Sequence, residues 1–234
     1  ARFPLVGRRG TGSRRREGQA PMSGINLSVY LVTDPVLKTP GLEVCEIVDR
    51  ACSAGVSAVQ YRDKDCPLEQ YILTARKLKC ITSRHGVPLI LNDHVTAVRS
   101  VGADGIHVGQ DDMSAAQVRK LVDPDCIVGV SVFDAHQARQ AENDGATYVA
   151  VNGVFPTGTK HFADSAGLGL ARVTEICRAV HIPVVGIGGI NVFNAAAVIA
   201  AGASGVAVVT AITMRPDIED AVRELLLETS GVKR

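Results

Sequence analysis

The chain has 234 residues, of which 46% are hydrophobic and 21% charged, with a formal net charge of +1. That length suits one α/β barrel or two small domains, and the apolar content is enough to bury a large core, which excludes disorder beyond the ends. The near-neutral balance provides no global field for nucleic acid or an anionic membrane, and no apolar run approaches the roughly 18 residues of a spanning helix, so neither is an expected partner.

Residues 1–21 carry arginines at 2, 8, 9, 14, 15 and 16 against one acid, Glu17, and show no apolar periodicity. They read as a disordered basic leader or an appended segment outside the fold, with an organelle transit segment as the other reading; Met22 looks like a natural start. One catalytic domain is expected over 22–234.

From Ser28 onward, short apolar runs alternate with longer stretches of helical character, the signature of repeated βα units and a parallel sheet. Strands are predicted at Ser28–Thr33, Ala58–Arg62, Leu89–Asn92, Gly105–Val108, Ile127–Val132, Tyr148–Asn152, Val184–Ile187 and Gly205–Val209. A weak repeat supports this division. Gly55, Gly102, Gly145 and Gly202 precede the even-numbered strands, where each can close a helix in the left-handed conformation. Pro88, Pro124 and Pro183 precede strands three, five and seven, where each can stop a helix. The pattern predicts a single (β/α)8 TIM barrel, with an open doubly wound sheet as the alternative. Six cysteines lie at 45, 52, 66, 80, 126 and 177 without Cys-x-x-Cys or zinc spacing; they are expected to be reduced, mostly buried thiols of a cytoplasmic protein.

In such a barrel the chemistry sits on the loops that follow the strands. Strand two ends in Gln60-Tyr61-Arg62-Asp63-Lys64, where period-2 geometry sends Gln60, Arg62 and Lys64 to one side and Tyr61 and Asp63 to the other. An amide and two cations thus meet at the barrel mouth. Strand three ends in Asn92-Asp93, and strand four runs through His107 to Asp112. Acids on adjacent strand ends beside cations suit an oxygen-preferring Mg2+ that also holds substrate phosphates, although either acid alone could cap a helix. His107, inside a strand, reads more readily as a packed core residue.

Ser131 ends strand five, and Thr157-Gly158-Thr159-Lys160 follows strand six as a weak anion-cradle signal. Strand seven ends in Gly186-Ile187-Gly188-Gly189-Ile190, before a helix expected near Asn191; strand eight ends in Val209-Thr210. Loops after strands seven and eight form the recurrent phosphate site of barrels, where glycine leaves room for oxygens and backbone N–H groups face them. Two anion sites follow: two phosphorylated small-molecule substrates, or one with a phosphate at each end.

At these residues the chain resembles the thiamin phosphate synthase family, from about Tyr30 to Ile212. The resemblance is carried by Tyr30-Leu31-Val32-Thr33-Asp34, Gln60 to Lys64, Leu91-Asn92-Asp93, Gly105 to Asp112, Phe155-Pro156-Thr157-Gly158-Thr159-Lys160 and Gly186 to Ile190. It implies a transferase that couples hydroxymethylpyrimidine diphosphate to a thiazole phosphate, giving thiamin phosphate and pyrophosphate. Mg2+ would be held by Asp93 and Asp112. The pyrimidine diphosphate would lie against Gln60, Tyr61, Arg62, Asp63, Lys64, Asn92, Ser131 and Lys160, and the thiazole phosphate against Thr157, Thr159, Gly189, Val209 and Thr210. Arg62, Lys64 and Lys160 would stabilise the departing pyrophosphate in a dissociative reaction. Two departures stand out: Val151-Asn152-Gly153-Val154 replaces the usual Gly-Pro pair before Phe155, and the loop after Lys160 looks shorter and lacks basic residues.

The rival readings are a thiazole tautomerase on the same barrel, an aminosugar-phosphate isomerase, and a non-catalytic ligand-binding barrel. Asn92-Asp93, Asp112 and the Thr-x-Thr-Lys segment speak against the first, which would have little use for a metal. The second wants a carboxylate pair, whereas Asp34 is present and strand five ends in Ser131. The sequence leaves the oligomeric state open, a homo-oligomer included.

Overall fold

The computed structural model describes residues 25–156 and 167–230; the leader expected over 1–21 lies outside the described residues. In chain order the elements are β1 (Val29–Val32), α1 (Val44–Ala54), β2 (Ala58–Tyr61), α2 (Leu68–Arg84), β3 (Leu89–Asn92), α3 (Ala97–Val101), β4 (Gly105–Val108) and α4 (Ala115–Arg119). They continue with β5 (Ile127–Val132), α5 (Ala135–Asn143), β6 (Tyr148–Asn152), α6 (Gly169–Ala179), β7 (Val184–Ile187), α7 (Ala195–Ala200), β8 (Gly205–Val208), α8 (Thr210–Thr213) and α9 (Ile218–Ser230). Each strand pairs in parallel with the next, and β1 pairs with β8, with Val29 opposite Val206 and Leu31 opposite Val208. That last pairing closes the barrel and excludes the open sheet.

The helices form because each presents one apolar stripe to the barrel wall. In α1 the buried residues are Ile47, Val48, Ala51 and Cys52, and in α2 they are Tyr71, Ala75, Leu78 and Thr82, spacings that put them on one face. Their burial joins outward residues of the strands, such as Leu31, Leu91 and Ile106, in a continuous outer core. A second, smaller cluster fills the barrel itself and includes Tyr30, Ala58, Ile90, Tyr148, Val185 and Ala207. Alternation along each strand makes both layers, since neighbouring side chains point to opposite faces.

Gly55, Gly102, Gly145 and Gly202 all take positive φ after their helices, as the repeat predicted. The proline half of the pattern is less simple. Helix α2 ends at Arg84, and Gly86 at φ 68° makes the turn before Pro88 is reached. The cysteines also differ from expectation: all six are free, but only Cys52 is buried, four are half-buried and Cys80 is exposed. Burial still pushes the thiols of Cys45, Cys52, Cys66 and Cys126 up from their ordinary values, which disfavours thiolate. Among the described residues no helix is long and apolar enough to cross a membrane.

Candidate active site

A cavity of about 610 Å3 opens at the C-terminal ends of the strands, and every strand contributes to its lining. Tyr30, Gln60, Asn92, His107, Ser131 and Ala150 supply the part nearest the barrel interior. In-register pairing explains their company: Asn92 lies opposite His107, and Ser131 opposite Ala150.

On one side of the cavity acids and cations are interleaved. Lys64 Nζ lies 3.2 Å from Asp93 Oδ2, and Arg62 Nη1 lies 3.1 Å from Asp34 Oδ2. Asp34 is itself fixed, because its Oδ1 accepts from the backbone N–H groups of Val36 and Leu37. Beyond the strands, Thr33 Oγ1 accepts from the Arg62 N–H, which ties the end of β2 to β1. Arg62 Nε is a buried donor without a partner among the described residues, a cost of about 1–3 kcal/mol that an anion could remove.

The carboxyls of Asp93 and Asp112 are close enough to share a hydrogen bond. Burial first, and then the neighbouring Asp112, pushes the Asp93 carboxyl above its ordinary range, while Lys64 opposes the shift. Neither acid caps a helix. Ser114 caps α4, in a reciprocal box with Gln117, and Thr96 precedes α3. Asp112 Oδ2 instead accepts from Gly109 N–H at 2.8 Å, and Asp93 sits at φ 61°, the only described non-glycine residue with positive φ. Two mutually repelling oxygen donors in a cavity fit a hard divalent cation. No group of three or more His, Cys, Asp or Glu could hold a metal among the described residues, so the remaining positions around such an ion would fall to phosphate oxygens and water.

Across the cavity lie Gly188, Gly189, Ile190, Val209, Thr210 and Ala211. Here the structure corrects one expectation and adds to another. Helix α7 begins at Ala195, four residues later than expected, because Asn191 and Asn194 form a turn in which Asn194 Oδ1 accepts from Asn191 N–H. The glycines also serve the protein before any ligand. A Cβ on Gly189 would come within 2.5 Å of Pro156 O, and one on Gly188 within 2.7 Å of Gly153 Cα. The loop after β6 fills that space, held by Val154 N–H to Ile187 O and Phe155 N–H to Gly188 O. The departure at Asn152-Gly153-Val154 is accommodated by Gly153 at φ 68° and by complete burial of Val154. After β8, the four-residue α8 begins at Thr210, and the N–H groups of a first helical turn have no partner within the helix.

Of the residues expected around the ligands, Gln60, Arg62, Lys64, Asn92, Asp93, Asp112, Ser131, Gly189, Val209 and Thr210 are brought together in this cavity. Tyr61 and Asp63 are not. Tyr61 points outward, buried in the outer core and stacked on Tyr71 at 4.4 Å between ring centres, as period 2 requires. Its role is in bracing: Tyr71 Oη donates to Tyr61 O and accepts from Asn92 N–H. Thr157, Thr159 and Lys160 lie outside the described residues. Sequence reasoning passed over Tyr30, which lines the cavity, and weighed His107 as core, whereas it is both buried and cavity-lining. The parity of β1, in which Tyr30 and Val32 share the inward face, was the available signal for Tyr30.

A family model described as thiamine monophosphate synthase matches residues 29–212. The chain is 48% identical over 198 residues to the thiamine-phosphate synthase of Roseiflexus castenholzii, covering 84% of this chain and 86% of that protein. It is 42% identical over 205 residues to that of Ruminiclostridium cellulolyticum, covering 87% and 96%. Among solved structures it superposes on a thiamine phosphate pyrophosphorylase from Pyrococcus furiosus with a TM-score of 0.80 and 32% identity, covering 88% of this chain and 97% of that one.

Proposed function

The chain belongs to the thiamine monophosphate synthase family, enzymes of thiamine biosynthesis, and from that premise we propose that it couples 4-amino-5-hydroxymethyl-2-methylpyrimidine diphosphate to a thiazole phosphate, releasing pyrophosphate. The observation that supports this reading is that one cavity brings together two groups of residues, each of which could serve a phosphate. Arg62, Lys64, Asp93 and Asp112 stand on one side, and Gly189, Val209 and Thr210 on the other. A reaction between two phosphorylated halves needs both.

In the proposed reaction the bond to the pyrophosphate oxygen breaks first, the aminopyrimidine carries the resulting cation, and the thiazole nitrogen captures it. Charge therefore builds on the leaving oxygen, and groups that meet it more strongly there than in the bound substrate accelerate the step. Arg62 and Lys64, which line the cavity, would do that work, with Lys160 as a third cation by family resemblance. Asp34 holds the Arg62 guanidinium on the cavity wall. Asp93 and Asp112 would hold Mg2+, which when bound would add neutralisation of the pyrophosphate charge. Gln60, Asn92 and Ser131 offer hydrogen bonds to the pyrimidine half.

The test is turnover of the purified protein with both phosphorylated halves, with and without Mg2+, scored for thiamin phosphate and pyrophosphate together. Both products are expected, dependent on Mg2+. Product formation undiminished after thorough metal chelation would remove the metal from the reading, and no product under any condition would overturn the coupling.

A further inference from the structure

Five side chains from five strands are joined end to end beneath the cavity. Gln60 Nε2 lies 2.9 Å from Tyr30 Oη, Tyr30 Oη 2.9 Å from Tyr148 Oη, and Tyr148 Oη 2.9 Å from His107 Nδ1. His107 Nε2 completes the chain at 2.9 Å from Ser131 Oγ. All five are buried, Tyr148 completely. The two terminal members, Gln60 and Ser131, both line the cavity, whereas Tyr148 does not.

The direction of this chain follows from what each group can donate. An amide nitrogen offers no lone pair, so Gln60 donates and the Tyr30 oxygen accepts. Tyr30 then has one proton to place. Tyr148 is its remaining hydrogen-bond partner among the described residues, and leaving a buried hydroxyl proton unpaired would cost about 1–3 kcal/mol. Tyr30 therefore donates to Tyr148, and Tyr148 donates in turn to His107 Nδ1. An imidazole that accepts at Nδ1 carries its hydrogen on Nε2, and that hydrogen goes to Ser131 Oγ. The Ser131 proton is not consumed by the chain and is available on the cavity side.

We propose that His107 is a positioning residue: held as the Nε2–H tautomer by Tyr148, it makes Ser131 a hydrogen-bond donor toward the ligand, while Gln60 at the opposite end keeps its carbonyl oxygen as an acceptor. The polarity of two cavity-lining groups is thereby set through Tyr148, which does not itself line the cavity. Gly129 belongs to the same device. A Cβ there would come within 2.2 Å of Tyr148 Cζ, so this glycine, paired with Tyr148 in register, is what admits the ring between β5 and β6. That the ligand so read is the aminopyrimidine rests on the function proposed above.

Two measurements on the full chain test this. The first is the tautomer of His107 by 15N NMR of protein labelled at its six histidines, with the His107 signals assigned by their loss in His107→Asn. The Nε2–H form is expected; the Nδ1–H form would reverse every bond in the chain and overturn the proposal. The second is Tyr148→Phe, which keeps the ring and removes the proton supplied to Nδ1. Its His107 is expected to become a mixture of tautomers. KM for the pyrimidine diphosphate should rise about tenfold, the scale of one ~1.4 kcal/mol interaction, with kcat changed by less than about twofold. A variant that melts earlier yet keeps the wild-type tautomer and KM would show the chain to be packing only, and the proposal would fall. If the protein makes no thiamin phosphate at all, the coupling reading fails, while the tautomer and its dependence on Tyr148 still decide this one.

Discussion

Asp93 meets two demands at once, since it sits at φ 61° and is pressed by burial and Asp112 toward its protonated form. Aspartate and asparagine tolerate the left-handed region better than other residues with a Cβ, where alanine would cost about 1 kcal/mol more. Asp93→Asn should therefore keep the fold, relieve the repulsion with Asp112, and melt no earlier than the parent protein. Turnover should fall by at least about 10²-fold, the scale for losing a principal transition-state stabiliser. Asp93→Ala should lose the same activity and some stability besides. Thermal melts with and without Mg2+ supply the control: the parent should be stabilised by the ion and Asp93→Asn should not. Retention of near-normal turnover would remove Asp93 from the site. This residue was legible in the sequence because it stands at a strand end beside cations. Its backbone conformation was not, since φ at a single Asp depends on the turn that follows. His107 was legible only in part, because its partner Tyr148, and Tyr30 beyond it, lie in otherwise apolar strands and only the barrel brings their hydroxyls together.

The elements fell where the Val/Ile/Leu runs placed them, each strand within one residue of its predicted ends, because a strand covered on both faces leaves an unbroken apolar signature. The start of α7 was missed for a physical reason. Asn191 does cap the turn, its Oδ1 accepting from Phe193 N–H and its own N–H donating to Asn194 Oδ1, but regular helix is reached only at the alanines. Between elements, the clearest polar link is Arg50 on α1 to Glu219 on α9, a two-pronged contact at 2.8 and 2.6 Å. That hydrogen bonding holds the Glu219 carboxyl down at about 2. A carboxylate whose folded value is depressed adds stability above its unfolded value, near 4.3, and loses it as pH falls toward 2. Glu219→Gln should thus be less stable than the parent at pH 7 by about 0.5–1 kcal/mol, the scale of a good exposed pair, or a few degrees in Tm. The difference should close between about pH 5 and pH 2. A gap that stays constant across paired acid melts would show that the α1–α9 contact does not depend on this charge.

For the molecule as a whole, closure is the decisive event, and it is made at β8 against β1. A Cβ on Gly205 would lie 1.7 Å from Leu27 O, backbone that cannot step aside without opening the β1–β8 seam. Gly205→Ala is expected to cost about 3 kcal/mol or more, at the upper end of overpacking effects. That is a Tm drop of roughly 6 °C or more for a domain of this size; an unchanged melt would show that the seam can shift freely. The alternation of βα units made the barrel legible, but no pattern in the sequence announced which glycines face the interior or which are crossed by neighbouring backbone. The same blindness applied to Gly188 and Gly189, read as room for phosphate: they line the cavity and also seat the loop after β6, which the sequence did not announce. Main-chain bonds hold that loop at both of its described ends. Phe155 N–H bonds to Gly188 O, while Leu168 and Gly169 return their N–H groups to Gly153 O and Val154 O. That clasp makes the turns after β6 and β7 a single unit, so a side chain added at Gly188 would disturb both together.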